Sequence, residues 1–104
     1  LLADFDLESG IIGFLMQSQC RYSVLDAVDN INRLDLSFWK ALVSNGTPGL
    51  EVIMAPSHPG TQRDRRVDDF RHILRFVRSN YDWRVGDLGK GLTAMSMTLL
   101  EEVD

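Results

Sequence analysis

Three short apolar runs are separated by stretches whose apolar residues recur every three or four positions: LLADFD at 1–6, GLEVIMAP at 49–56 and DWRVGDLG at 82–89. That alternation constrains the fold more than any other feature of the chain. Strands that alternate with helices are joined by crossovers and pair in parallel, with helices packed on the sheet. Right-handed crossovers then bring the carboxyl ends of all three strands to one edge. The expected architecture is α/β, a partial parallel sheet of three strands with flanking helices. The last of the three, Trp83–Asp87, is expected to be a buried strand.

The helical stretches carry their own signals. SGIIGFLM offers Ile11, Ile12, Phe14 and Leu15 for a short apolar helix, loosened by Gly10 and Gly13. In YSVLDAVDNINRL, Ser23 and Asp26 have the spacing of a capping box, and Val24, Leu25, Val28 and Ile31 follow at helical spacing. SFWKALV reads as a helix capped by Ser37, with Phe38, Trp39 and Leu42 for the core. Gly46, Pro48 and Gly49 mark a turn before the second strand, and SHPGTQRD a loop after it. From Arg65 to Ser79, Val67, Phe70, Ile73, Leu74 and Val77 keep the helical period. Asp68 and Asp69 begin this segment and Arg75 and Arg78 end it, as the helix dipole favours, and Asn80 is a stop. Thr93 to Val103 reads as a last helix, with Met95, Met97, Leu99 and Leu100 for a core or an interface.

Charge and composition exclude several classes. The 104 residues fit one domain. Eleven basic against 15 acidic residues leave a net charge of −4, which does not favour nucleic acid. The basic cluster RDRRVDDFRHILRFVR has acids interleaved and reads as a solvated helix face. No apolar run approaches the ~20 residues of a membrane span. Cys20 is the only cysteine, which excludes an internal disulfide and fits a reducing cytoplasm. His58 and His72 lack the spacing of a metal site.

What remains is the rim. The three strand ends carry Asp4 and Asp6, then Pro56 and Ser57, then Asp87. Open α/β sheets place ligand chemistry at the carboxyl ends of their strands. Two acidic strand ends on one edge suit Mg²⁺, a hard cation that takes one or two carboxylates plus phosphate oxygens.

Together, LLADFDLESGIIGFLM, a helical middle with GLEVIMAP, and YDWRVGDLGKGL resemble the MinD/ParA class of deviant Walker P-loop ATPases. Within that class the closest resemblance is to the CpaE-like or TadZ-like pilus-assembly branch. It covers essentially the whole chain in order and spacing, and the arrangement of related folds implies three parallel strands ordered Leu50–Ala55, Leu1–Phe5, Trp83–Asp87. The resemblance implies ATP and Mg²⁺ as cofactors. It places Asp4 and Gly91 among the nucleotide-binding groups, Gly91 through a backbone N–H that meets the γ-phosphate. It implies that Asp6 acts catalytically in the first switch, near the attacking water. It implies that Asp87 is the Walker B acid, holding Mg²⁺ through water. Such roles suit phosphoryl transfer, which needs mainly positioning and charge neutralisation. The resemblance further implies an ATP-dependent homodimer that works with pilus or secretion machinery, in the cytoplasm and recruited to the membrane or cell pole by partners.

There are departures. The Gly-rich phosphate-binding loop and its lysines, which such proteins carry upstream of LLADFD, are absent, as are later strands. The chain is therefore expected to be an internal fragment, inactive by itself. Arg84 and Gly86 interrupt what is usually an unbroken aliphatic strand, and Lys90 does not replace the missing lysine. Two other readings stay open: a bacterial tyrosine-kinase-type P-loop domain, and a degenerate interaction scaffold. LESGIIGF and the lack of a Tyr cluster speak against the first, and the retained Asp6 and Asp87 against the second.

Overall fold

Leu2–Asp4 (β1) lies at the centre of the sheet, with Leu50–Ile53 (β3) parallel to it on one side and Val85–Asp87 (β4) parallel on the other. This is the expected order. The computed structural model describes residues 1–18, 20–57 and 67–103. His58, most of the loop SHPGTQRD and the expected helix start at Arg65 lie outside the described residues. In register, Leu2 pairs with Val52 and Val85, Ala3 with Ile53 and Gly86, and Asp4 with Asp87. Side chains at paired positions share a face of the sheet, so the carboxylates of Asp4 and Asp87 leave the strand ends on the same side.

A fourth strand, Ser44–Thr47 (β2), pairs antiparallel with β3 at the edge. The sequence reading has only a turn there. SNGT carries no apolar alternation, so its pairing depends on a hairpin through Pro48 and Gly49, where Gly49 takes a φ of +78°.

Most of the core lies on one face. Val24–Asp29 (α2), Leu36–Leu42 (α3), Val67–Asn80 (α4) and Ala94–Glu101 (α5) pack there against Ala3, Phe5 and Ile53. The capping box of α2 is present: Ser23 Oγ accepts from Leu25 N–H, and Asp26 accepts from Ser23 N–H at 2.7 Å. α3 is capped by Asp35 instead of Ser37, its Oδ1 accepting from Phe38 N–H at 2.7 Å. Starting two residues earlier still buries Trp39 and Leu42 on one stripe, so core burial does not distinguish the two caps. α4 buries Phe70, Ile73 and Val77, as its period predicts. α5 opens on a Thr93–Ser96 capping box and buries Leu99, while Met97 and Leu100 stay half exposed. Arg71 of α4 ties α5 down through Glu101 at 3.1 Å and Glu102 at 3.3 Å.

The other face is thinly covered. Ile12–Leu15 (α1) contributes only Ile12, which packs with Val52 and Met54. Ile11, Phe14 and Leu15, read as part of a short apolar helix, face solvent. A four-residue helix presents one turn and cannot turn all its apolar residues inward.

β4 corrects a second expectation, that of a buried strand. All three of its residues are exposed, and Val85 and Trp83 are 62% and 84% accessible. It has a hydrogen-bonded neighbour on one side only. Arg84 is thereby relieved of any burial cost. Its Nη1 donates to the carbonyls of Tyr81, at 2.6 Å, and Arg78, at 3.2 Å, closing the carboxyl end of α4. Gly86 lies against the Phe5 ring, 3.4 Å from where a Cβ would sit.

At the amino ends of β3 and β4, Trp39 Nε1 donates to Tyr81 Oη at 2.7 Å, and Tyr81 donates to Glu51 Oε2 at 2.8 Å. Lys40 forms an ion pair with Glu51. Burial would raise the Glu51 carboxyl, but hydrogen bonds from Lys40 and Tyr81 outweigh it and hold the group below its ordinary value. Burial, then the hydrogen bond to Glu51, push Tyr81 up to about 12. The signs are opposite. Stability from Glu51 is present above its unfolded pKa and lost as pH falls through the lower folded value. Stability from Tyr81 is present below about 10, its unfolded value, and lost as pH rises towards 12. Thermal midpoints measured against pH should therefore fall at both extremes. In Tyr81→Phe the alkaline fall should shrink, and an unchanged alkaline limb would refute the network's role.

Candidate functional site

The strand alternation that builds the sheet also delivers three carboxylates to one rim. Asp4 ends β1, Asp6 follows two residues later, and Asp87 ends β4. Phe5 N–H donates to the Asp87 carbonyl at 2.8 Å, which clamps the two strand ends together beyond the ladder.

The three acids differ in environment. Asp4 is fully buried. Its Oδ1 accepts from Asp6 N–H at 3.0 Å and its Oδ2 from Ile12 N–H at 3.2 Å. It thus closes residues 6–11 over the end of β1 and starts α1. Gly10 makes that closure possible, because a Cβ there would fall 2.3 Å from Ala55 Cβ and 2.6 Å from Asp4 Oδ2. Burial raises the Asp4 carboxyl; its two backbone hydrogen bonds pull it down, and the charges of Asp87 and Asp6 push it up again. The net shift is upward.

Asp6 is half buried, and its Oδ1 accepts from Ser9 N–H at 3.0 Å and Glu8 N–H at 3.3 Å. Asp87 is exposed, and its Oδ1 accepts from Gly89 N–H at 2.9 Å. Both are turns in which an acid binds the backbone two or three residues on. In each, Oδ2 has no hydrogen-bond donor among the described residues. Gly91 is exposed, with a φ of +79° and open space around its Cα. Lys90 is exposed as well, and Ser57 lies at the rim end of β3.

These donors suit Mg²⁺ in part. Asp6 and Asp87 each have a carboxylate Oδ2 with no hydrogen-bond donor among the described residues, the hard donor that this ion prefers; Asp87 is exposed, and the Asp6 Oδ2 lies beside Gly89. Asp4 does not fit as a ligand, since both its oxygens already hold backbone N–H groups. Among the described residues, no three His, Cys, Asp or Glu side chains converge to hold a metal ion by themselves. One or two carboxylates would thus serve, with the remaining ligands coming from phosphate and water.

Structure and sequence reading agree that Asp4, Asp6 and Asp87 gather on one edge. Gly91 stands four residues beyond Asp87, with nothing within 4 Å of where a Cβ would sit. The reading gave no role to Gly10 or Gly89, each of which approaches an acid closely. A glycine two residues after Asp87 was a visible signal for a turn, but not for what the turn touches. Beside the acids, a cleft of about 430 Å³ opens between Asp4, Gly13, Arg21, Tyr22 and Met54. Among the described residues no helix is long and apolar enough to cross a membrane. No protein-family model matches the chain, and no curated protein matches it significantly. The geometry of the rim is what carries a functional reading.

Proposed function

We propose that the chain forms the acidic half of a Mg²⁺-dependent ATP-hydrolysing site of the MinD/ParA kind. The observation that carries this is the pair Asp6 and Asp87. They stand at the ends of two hydrogen-bonded parallel strands, each with one oxygen fixed by its own loop and the other without a hydrogen-bond donor among the described residues. Asp87 would hold the ion through water, and its turn to Gly89 fixes the orientation of its carboxylate. Asp6 would accept a proton from, or orient, the attacking water, while Asp4 anchors its backbone from below. Mg²⁺, when bound, neutralises charge on the phosphate oxygens. Gly91 would offer its N–H to the terminal phosphate. The resemblance extends the proposal to a homodimer that positions a pilus or secretion apparatus, in the cytoplasm with recruitment to the membrane or pole through partners.

The test is phosphate release from ATP by the protein that contains this chain, with Mg²⁺ and with the metal chelated. Mg²⁺-dependent release supports the reading, and none at saturating ATP sinks it. A second expectation concerns the 104 residues by themselves. Carboxylates repel a triphosphate unless a cradle of N–H groups and lysines offsets them. Gly91 alone is a poor cradle. Titration of a fluorescent ATP analogue with Mg²⁺ into the isolated chain should show binding no tighter than roughly millimolar, about 4 kcal/mol. A micromolar constant would contradict the requirement for a further phosphate-binding element.

A further inference from the structure

Gly89 lies where the two acidic loops meet. Its φ is +75°, a conformation in which residues with a Cβ are strained. Its N–H holds Asp87 Oδ1 at 2.9 Å. A Cβ placed on its backbone would fall 2.7 Å from Asp6 Cγ and 2.9 Å from Asp6 Oδ2. Contacts that short force something to move. Asp6 is poorly placed to yield, because its Oδ1 holds Glu8 N–H and Ser9 N–H and its own N–H is held by Asp4. Rotating the side chain away would open the turn that its loop closes on.

We infer that Gly89 is a positioning residue: the lack of a side chain there sets how closely the Asp6 carboxylate approaches the Asp87 loop. Asp4, Asp6, Gly89 and Asp87 then form a continuous series across both strand ends. A displacement of either loop is transmitted to the other through the Gly89–Asp6 contact. The catalytic consequence rests on the ATPase reading given above; the contact itself does not.

Substituting Gly89 combines backbone strain with collision, and Gly49 separates them. Gly49 has a φ of +78° in the β2–β3 turn, with open space where a Cβ would go. Gly49→Ala therefore reports strain alone. In urea unfolding, Gly89→Ala should lower the folding constant about tenfold more than Gly49→Ala does. Adding Asp6→Ala should recover part of that extra loss, since the carboxyl is gone while the Asp6 Cβ, 3.0 Å from the added methyl, remains. Additive costs would overturn the contact. If Gly89→Ala does not fold, Gly89→Asn replaces it, because Asn tolerates positive φ and keeps the collision.

Turnover of ATP by the protein that contains this chain supplies the second readout. Gly89→Ala should lower kcat about 10²-fold, as Asp6→Ala does, with KM within about threefold, and the double variant should be no slower than either single. A normal kcat in Gly89→Ala beside a lost one in Asp6→Ala would overturn the positioning role. Absence of ATP hydrolysis in the unmodified protein would instead reject the ATPase reading, and the folding cycle alone would then decide the contact.

Discussion

Asp6→Ala is expected to lower ATP turnover by about 10²-fold or more while leaving ATP affinity within about threefold. Asp87→Ala is expected to weaken both Mg²⁺-dependent binding and turnover. The two acids look alike in sequence, but their surroundings separate them. Asp87 is exposed at the strand end, with no donor to its Oδ2 among the described residues, and on the proposed reading would hold the ion, whose charge is needed in both the bound state and the transition state. Asp6 is half buried and braced by two loop N–H groups, a setting that orients a carboxylate towards one small partner. A variant that binds ATP without hydrolysing it should accumulate as the ATP-bound dimer. Affinity, turnover and light scattering on both variants, made in the protein that contains this chain, check these outcomes. Equal loss of affinity in the two would end the separation of roles. Unchanged turnover in both would favour an interaction scaffold.

Trp39→Ala should be the most damaging single change to the fold. The side chain is fully buried, with its ring 5.4 Å from that of Phe76. Its N–H is the donor to Tyr81 Oη. Truncation of a buried aromatic costs about 3–5 kcal/mol. Breaking the hydrogen bond adds about 1 kcal/mol. Against a total of roughly 5–15 kcal/mol for a domain, much of the folding free energy disappears. Trp39→Phe keeps most of the ring and loses the donor, so it should cost about 1–2 kcal/mol. Urea unfolding followed by circular dichroism measures both. A cost below about 1 kcal/mol for Trp39→Ala would mean that α3 is not part of the cooperative core.

Local patterns proved legible where one segment carries the whole reason for its conformation. The period of Phe70, Ile73 and Val77 specifies α4, and Ser23 with Asp26 specifies the start of α2. Alternation of strands and helices was enough for parallel strands with acids on one rim, while the order β3, β1, β4 followed from the resemblance to related folds. Tertiary structure alone decided the rest. SNGT becomes a strand because β3 offers it an edge, and Val85 is exposed because β4 is the edge strand of the sheet among the described residues. Whether Asp4 would meet solvent or the backbone of Asp6 and Ile12 depended on how residues 6–11 fold back over β1. The contact between Gly89 and Asp6 joins positions 83 residues apart. Nothing near either residue encodes that distance, because the packing of two strand ends sets it.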